Sequence, residues 1–290
     1  MNLETLFQVP FAHHTYSARN GSIHYATLGK EGAPAVVFFH GANMGIGQWY
    51  ANVKELADSY RLYLVDMYNA GDSSDLPLAM LSPKIYEEAA RGFIESEVRE
   101  EPFAVLGHSF GGWLAARVGM SFPKRCKAML LIDPAGLCNR IPAKQLLLRL
   151  PVISDLLLKG PLSPTHEHVE QFIREGFMPS YTADPTLVSY ILEHWETAPI
   201  ERNPFACARM IVQHLRYLNI EDDIGRTDIP TLIAAGKGDP MADIPRLETY
   251  ANAHPALKVM IFQKAAHVPS LEEATLFNAT ILGFLKTTLS

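Results

Sequence analysis

Cysteine is scarce in this chain: Cys126, Cys138 and Cys207 are the only three among 290 residues. An odd, widely spaced set makes neither a disulfide framework nor a zinc site. Each reads as a small buried apolar residue of a protein kept in reducing cytosol. Positive charge is also short. Lys and Arg number 25 against 31 Asp and Glu, a net charge of −6. That balance excludes a nucleic acid or an anionic membrane surface as an expected partner, because both need a basic face. No apolar run approaches the roughly 20 residues of a membrane span. The N-terminal MNLETLFQVPF has an acidic Glu4, no basic region and no long apolar region, so it reads as a mature start and not as a secretory signal. Internal repeats, low-complexity tracts and Walker or Rossmann glycine patterns are missing. His166-Glu167-His168 is not HExxH, and its i,i+2 spacing puts the two imidazoles on different helix faces, so no metal is expected there. What remains is 48% hydrophobic and 19% charged, enough to bury a sizeable core.

Short β-rich runs alternate with helix-like stretches. Ser22–Leu28 alternates and predicts an antiparallel edge strand. Ala35–Phe39, Arg61–Val65, Phe103–Leu106, Ala128–Ile132, Thr231–Ala235 and Leu257–Phe262 are compact apolar runs that suit a sheet buried on both faces. Between them, Gln48–Asp58, Ile85–Val98, Gly112–Phe122, Ile244–Asn252 and Ala274–Leu285 carry helical spacing. This alternation predicts an α/β fold with a mostly parallel sheet, whose reactive groups gather beyond the carboxyl ends of the strands. The pattern breaks between about residues 137 and 227. There, helix-like pieces over Ala143–Leu150, Thr165–Glu175, Thr186–Trp195 and Phe205–Leu218 follow one another with no strand. We therefore expect a core domain of residues 1–136 and 228–290, with residues 137–227 as a helical cap inserted into it.

The densest chemical signal is Gly107-His108-Ser109-Phe110-Gly111-Gly112, directly after a strand and before a helix. A sharp strand-turn-helix bend strains its central residue and lifts that side chain above the sheet edge. A Cβ at Gly107 or Gly111 would crowd the bend. Ser109 is thus the candidate nucleophile, and a serine hydroxyl needs a base and an orienting acid. Among eleven histidines, His267 alone follows the last strand by a short loop. Asp239 follows the strand Thr231–Ala235 and lies between Ser109 and His267 in the chain. Asp133, which ends the preceding strand, is its rival. An oxyanion needs backbone donors. Phe110 supplies one at the start of its helix. The turn His40-Gly41-Ala42-Asn43 supplies the other from Ala42 or Asn43, with Ala42 favoured; His40 reads as a loop brace. Trp195, Phe177, Met178 and Val268 are candidates to line an apolar substrate pocket.

Taken together and in order, FFHGAN (Phe38–Asn43), the Asp66–Ser73 segment, GHSFGG (Gly107–Gly112), GKGD (Gly236–Asp239) and AAHVPSLEE (Ala265–Glu273) resemble the α/β-hydrolase fold superfamily. The resemblance is to its cap-bearing, esterase-like members, and covers about residues 22–136 and 229–285. It implies Ser109 as nucleophile, Asp239 as acid and His267 as base. The chain departs from several specialised branches. It has serine where dehalogenases and epoxide hydrolases have aspartate. It has Val268-Pro269 where carbon–carbon bond hydrolases have tryptophan after the histidine, and Ser109-Phe110 where proline iminopeptidases have Ser-Trp. Asn69 stands where glycine is usual.

The expectation is a serine hydrolase that cleaves a carboxylic ester of a small apolar molecule through an acyl-enzyme, with no cofactor. The alternatives are an amide, lactone, thioester or carbon–carbon bond cleaved on the same residues, or a receptor that binds a small molecule without turning it over. The sequence carries no signal of oligomeric state.

Overall fold

The computed structural model describes residues 3–99, 101–141, 143–160 and 165–289. Eight strands form one sheet: β1 (Ala12–Ala18), β2 (Gly21–Leu28), β3 (Ala35–Phe39), β4 (Arg61–Val65), β5 (Phe103–His108), β6 (Cys126–Ile132), β7 (Thr231–Gly236) and β8 (Leu257–Phe262). Their spatial order is β1-β2-β4-β3-β5-β6-β7-β8. From β4 to β8 every pairing is parallel, while β1–β2 and β2–β4 are antiparallel. Ser22–Leu28 does not form the edge. The strand Ala12–Ala18, absent from the sequence reading, pairs outside it. The half-exposed AHHTYSA pattern of that outer strand is polar and carries little hydrophobic signal.

Alternation along the central strands separates two cores. Val36, Phe38, Leu106 and Leu130 point into one layer with Trp49, Phe262 and Phe277. Val37, Phe39, Val105 and Leu131 point into the other with Phe93 and Trp113. Helices cover both faces, as a parallel sheet requires. The predicted helix over 48–58 is a 3₁₀ turn (Ile46–Trp49) followed by a short helix (Val53–Ala57). The stretch 85–98 is a helix (Pro83–Phe93) that loosens into a π turn (Ile94–Val98).

All connections between β6 and β7 are helical among the described residues, apart from one isolated bridge between Asn139 and Ala242. The longer helices are Pro151–Lys159, His166–Arg174, Pro185–Thr197 and Pro204–Gln213. The first of these was not anticipated. Asp184 and Asn203 each cap a helix that begins with proline, accepting from Thr186 N–H (2.7 Å) and Phe205 N–H (2.9 Å). A fixed proline φ preorganises such a start, and the cap satisfies one of the free N–H groups. No described helix is long and apolar enough to cross a membrane.

The strand order reverses direction at β3, which pairs with β4 on one side and β5 on the other. Loops leaving β3 and β5 therefore part to opposite faces and leave a crevice at the carboxyl edge. Phe39 pairs with Gly107, so the turn after β3 and the turn after β5 stand side by side at that crevice.

Candidate active site

Ser109 sits at the bend between β5 and the helix Phe110–Ser121, with φ 54° and ψ −119°. This is a costly backbone conformation for a residue with a Cβ. The surroundings hold it there. Ser109 N–H donates to Ile132 O (2.8 Å), and Ser109 O accepts from Trp113 N–H (3.1 Å) and Ala135 N–H (2.9 Å). A Cβ on Gly107 would collide with Gly111 O, and one on Gly111 with Phe39 O and His40 O. Gly112 packs against Pro134, its added Cβ lying 3.0 Å from Pro134 Cα. The glycines are needed where the sequence placed them.

His267 lies in the loop after β8, and its Nδ1 is 2.7 Å from Asp239 Oδ2. The other Asp239 oxygen accepts from Met241 N–H at 2.8 Å. Burial pushes the Asp239 carboxyl up, but the adjacent imidazole and these hydrogen bonds outweigh it and hold the group below its usual range. The carboxylate is therefore ionised at neutral pH and accepts the Nδ1–H of His267.

Residues the sequence reading did not single out fix this loop. Glu272 Oε1 accepts from Ala266 N–H (2.9 Å) and Val268 N–H (3.0 Å), while its Oε2 accepts from Met178 N–H (2.6 Å). Burial raises the Glu272 carboxyl above its usual range despite those donors. His267 N–H itself donates to Gly176 O (3.1 Å). His108 Nε2 lies 2.6 Å from the His267 carbonyl, and the two rings are 4.8 Å apart. Burial first, then the neighbouring His267, lowers His108 to about 3. It is a neutral donor that braces the loop. The Glu-Glu pair of AAHVPSLEE was the one available hint of Glu272; His108 read only as part of the bend.

His40 is buried, and its Nε2 accepts from Met67 N–H (2.9 Å). The Nδ1–H therefore donates to Gly41 O (2.6 Å), a brace as expected. Gly41 N–H donates to buried Gln48 (2.8 Å). Asn43 has φ 61°, and its amide donates to Arg202 O. Asn69, where a glycine is usual, adopts φ 63°; asparagine tolerates that region better than other residues with a Cβ.

A cavity of about 600 Å³ opens over this edge. Ser109, His267, Ala42 and Asn43 line its sheet side, and Phe177, Trp195 and Val268 also face it. Met178 is not among its lining; its sulfur lies over Gly238. The Phe110 ring packs in the core against Tyr86 and Trp113, so only its backbone is placed toward the bend. The apolar wall comes largely from the helices between β6 and β7, including Phe172, Ile173 and Ile191. Its two arginines are already engaged. Arg202 binds Asp75 (2.8 Å), Gly71 O (2.7 Å) and Ser73 O (3.3 Å), and Arg246 binds Glu221 (2.6 Å).

The α/β-hydrolase fold family model matches residues 34–274, and the chain belongs to that family. It is 25% identical over 276 residues to a 2-hydroxy-6-oxononadienedioate/2-hydroxy-6-oxononatrienedioate hydrolase of Comamonas testosteroni, covering 92% of each chain. It is 26% identical over 269 residues to a pimeloyl-[acyl-carrier protein] methyl ester esterase of Aeromonas hydrophila, covering 87% of this chain and 95% of the esterase. Some relatives match at higher identity over only part of their length. The chain is 34% identical over 121 residues to a 1-acylglycerol-3-phosphate O-acyltransferase of Arabidopsis thaliana, of which it spans 28%. Among solved structures, a carboxylesterase from Bacillus subtilis superposes with a TM-score of 0.75 at 21% identity, over 98% of this chain and 94% of that one.

Proposed function

We propose that the protein is a serine hydrolase that cleaves a carboxylic ester of a small, largely apolar molecule. The observation that carries this reading is the convergence at one cavity of a serine on a strained bend and an imidazole whose far nitrogen is held by a buried carboxylate. In this reading His267 Nε2 takes the Ser109 proton as the oxygen attacks the ester carbonyl. Asp239 keeps the imidazole in the required tautomer and stabilises its cation. The N–H groups of Ala42 and Phe110 receive the oxyanion; Phe110 opens its helix, where N–H groups lack intrahelical acceptors and the dipole favours negative charge. His267 then returns the proton to the departing alcohol. Water, activated by the same nitrogen, releases the acid. Residues 137–227 act as a cap whose apolar wall selects the acyl group. Both cavity arginines are paired with carboxylates, Arg202 with Asp75 and Arg246 with Glu221, which favours an uncharged substrate over an anionic one.

A carbon–carbon bond hydrolase is the second reading, favoured by the full-length match to the Comamonas enzyme. The deciding experiment combines a fluorophosphonate probe with a chromogenic ester panel of graded acyl length. Covalent labelling of Ser109, with ester turnover lost in Ser109→Ala, is the expected result. An unlabelled Ser109 in folded protein overturns the serine mechanism. Labelling without turnover of any ester moves the reading to the carbon–carbon class.

A further inference from the structure

The sheet edge holds a second buried carboxyl that the proposed mechanism leaves unused. Asp133 directly follows β6 with φ 39°, and it is only 4% exposed. Its Oδ2 accepts from Gly236 N–H (3.1 Å), but no hydrogen-bond partner reaches the buried Oδ1. One carboxylate oxygen of Asp133, one of Asp239 and one His267 ring nitrogen all lie within 4.8 Å of one another. Asp133 also lines the cavity. Two carboxylates cannot both ionise in so small a buried space without a cation between them. Asp239 has two good donors, the His267 imidazole and the Met241 N–H, so it keeps the charge, and the proton falls on Asp133. The groups that face this pair act in the same sense. Asp239 and Glu272, from the loop after β7 and the helix Pro269–Glu272, oppose a charge on Asp133 after burial itself. His267 and His108 favour the charge on Asp239.

We propose that Asp133 is a positioning residue of this site, a neutral acid that abuts Asp239 and takes over the orientation of His267 when the Asp239 charge is removed. The inference rests on the serine-hydrolase reading above. In wild type the acid proton points at Asp239 and steadies its carboxylate. In Asp239→Asn the repelling charge is gone, Asp133 ionises, and the new amide can donate to it. The carboxylate needed to balance the imidazole is then supplied from β6 in place of the loop after β7.

Three variants test this, read by the rate of fluorophosphonate labelling and by kcat/KM on the best ester. Loss of a triad acid costs about 10⁴-fold where nothing replaces it. Asp239→Asn alone should lose about 10²-fold, Asp133→Asn under tenfold, and the double variant about 10⁴-fold, more than the product of the singles. The residual rate of Asp239→Asn should rise with pH beyond the rise shown by the double variant, the excess reporting ionisation of Asp133. If Asp239→Asn is as impaired as the double variant, or shows no such rise, the proposal is overturned. Infrared difference spectra of wild type minus Asp133→Asn give a check that needs no altered Asp239. A neutral carboxylic acid band at pH 7 is expected, and its absence overturns the proposal. Failure of Ser109→Ala to abolish labelling would instead defeat the serine mechanism, and the infrared result would stand apart from it.

Discussion

The floor and the roof of the cavity are built by different physics. The floor is made of strand ends, and several of its polar groups are paired with one another. Ser109 is pinned by three backbone bonds, His40 bridges two loops, and Glu272 collects three N–H groups. Displacing any one leaves a buried group unpaired, which is costly. The roof is made of helices between β6 and β7 and is held mainly by apolar packing. Leu147, Leu150 and Val152 are 49%, 52% and 73% exposed there; the described central strands show no counterpart. Roof and floor meet through a few polar ties. Arg202 grips Asp75, Gly71 and Ser73, Asn43 and Asn69 reach carbonyls of Arg202 and Glu201, and Tyr190 packs on Gly45 and Gly47. The contrast teaches that geometry is fixed where a reaction needs it. The surface that meets the variable part of a substrate can be repacked at low cost.

The contrast can be broken at the floor first. Ser109→Ala should reduce ester turnover by about 10⁴-fold or more while the melting temperature stays near wild type. A loss below tenfold would show that the chemistry does not reside in the floor. Next is the main tie between the layers. The Arg202 side chain is 8% exposed against Asp75 at 30%. Arg202→Ala should therefore cost about 2–3 kcal/mol in urea unfolding and raise KM. A variant as stable as wild type would mean that the roof is held by packing alone. A roof residue should behave differently. Trp195→Ala should raise KM by about tenfold for the preferred ester with kcat within about twofold, the mark of binding shared by ground and transition states. An equal fall in kcat would move Trp195 into the chemistry.

The smallest effect is one of pH, and it sits at the margin of both layers. On β2, burial lowers the His24 imidazole, but buried Asp66, 2.6 Å away, outweighs this and raises it above its usual value. In the roof His194 is raised in the same way by Asp72. A histidine raised on folding binds its proton more tightly in the folded state. Its stabilisation is complete below about pH 6.5 and is lost as pH rises through the folded value. The melting-temperature gap between wild type and His24→Gln should therefore be larger at about pH 5.5 than at about pH 9. An equal gap at both would show that the His24–Asp66 contact contributes only as a neutral hydrogen bond.

Much of the floor was legible along the chain. Continuous apolar runs ending in glycine or aspartate marked β3, β5, β6 and β7, and the spacing of Gly107, Ser109 and Gly111 specified a bend that only small neighbours permit. His267 and Asp239 followed from chain order and strand ends, and they meet at 2.7 Å. The outer strand β1 and the helix Pro151–Lys159 were not legible. The first has little apolar content, and the second starts at a proline directly after the run 143–150 that already read as helical. Substrate-wall residues were legible only by type. Phe177, Trp195 and Val268 face the cavity and Met178 does not, because one residue of helix or turn rotates a side chain from the wall to the packing behind it.

Local structure was thus settled by the sequence alone: where the backbone must bend, and which segments alternate as strand and helix. These depend on sterics and on spacing over a few residues. Only the tertiary structure decided which carboxyls lie near the His267 imidazole, which histidines brace the loops, and what closes the cavity. Those outcomes depend on distances between strands far apart in the chain and on how much water burial removes from each charge.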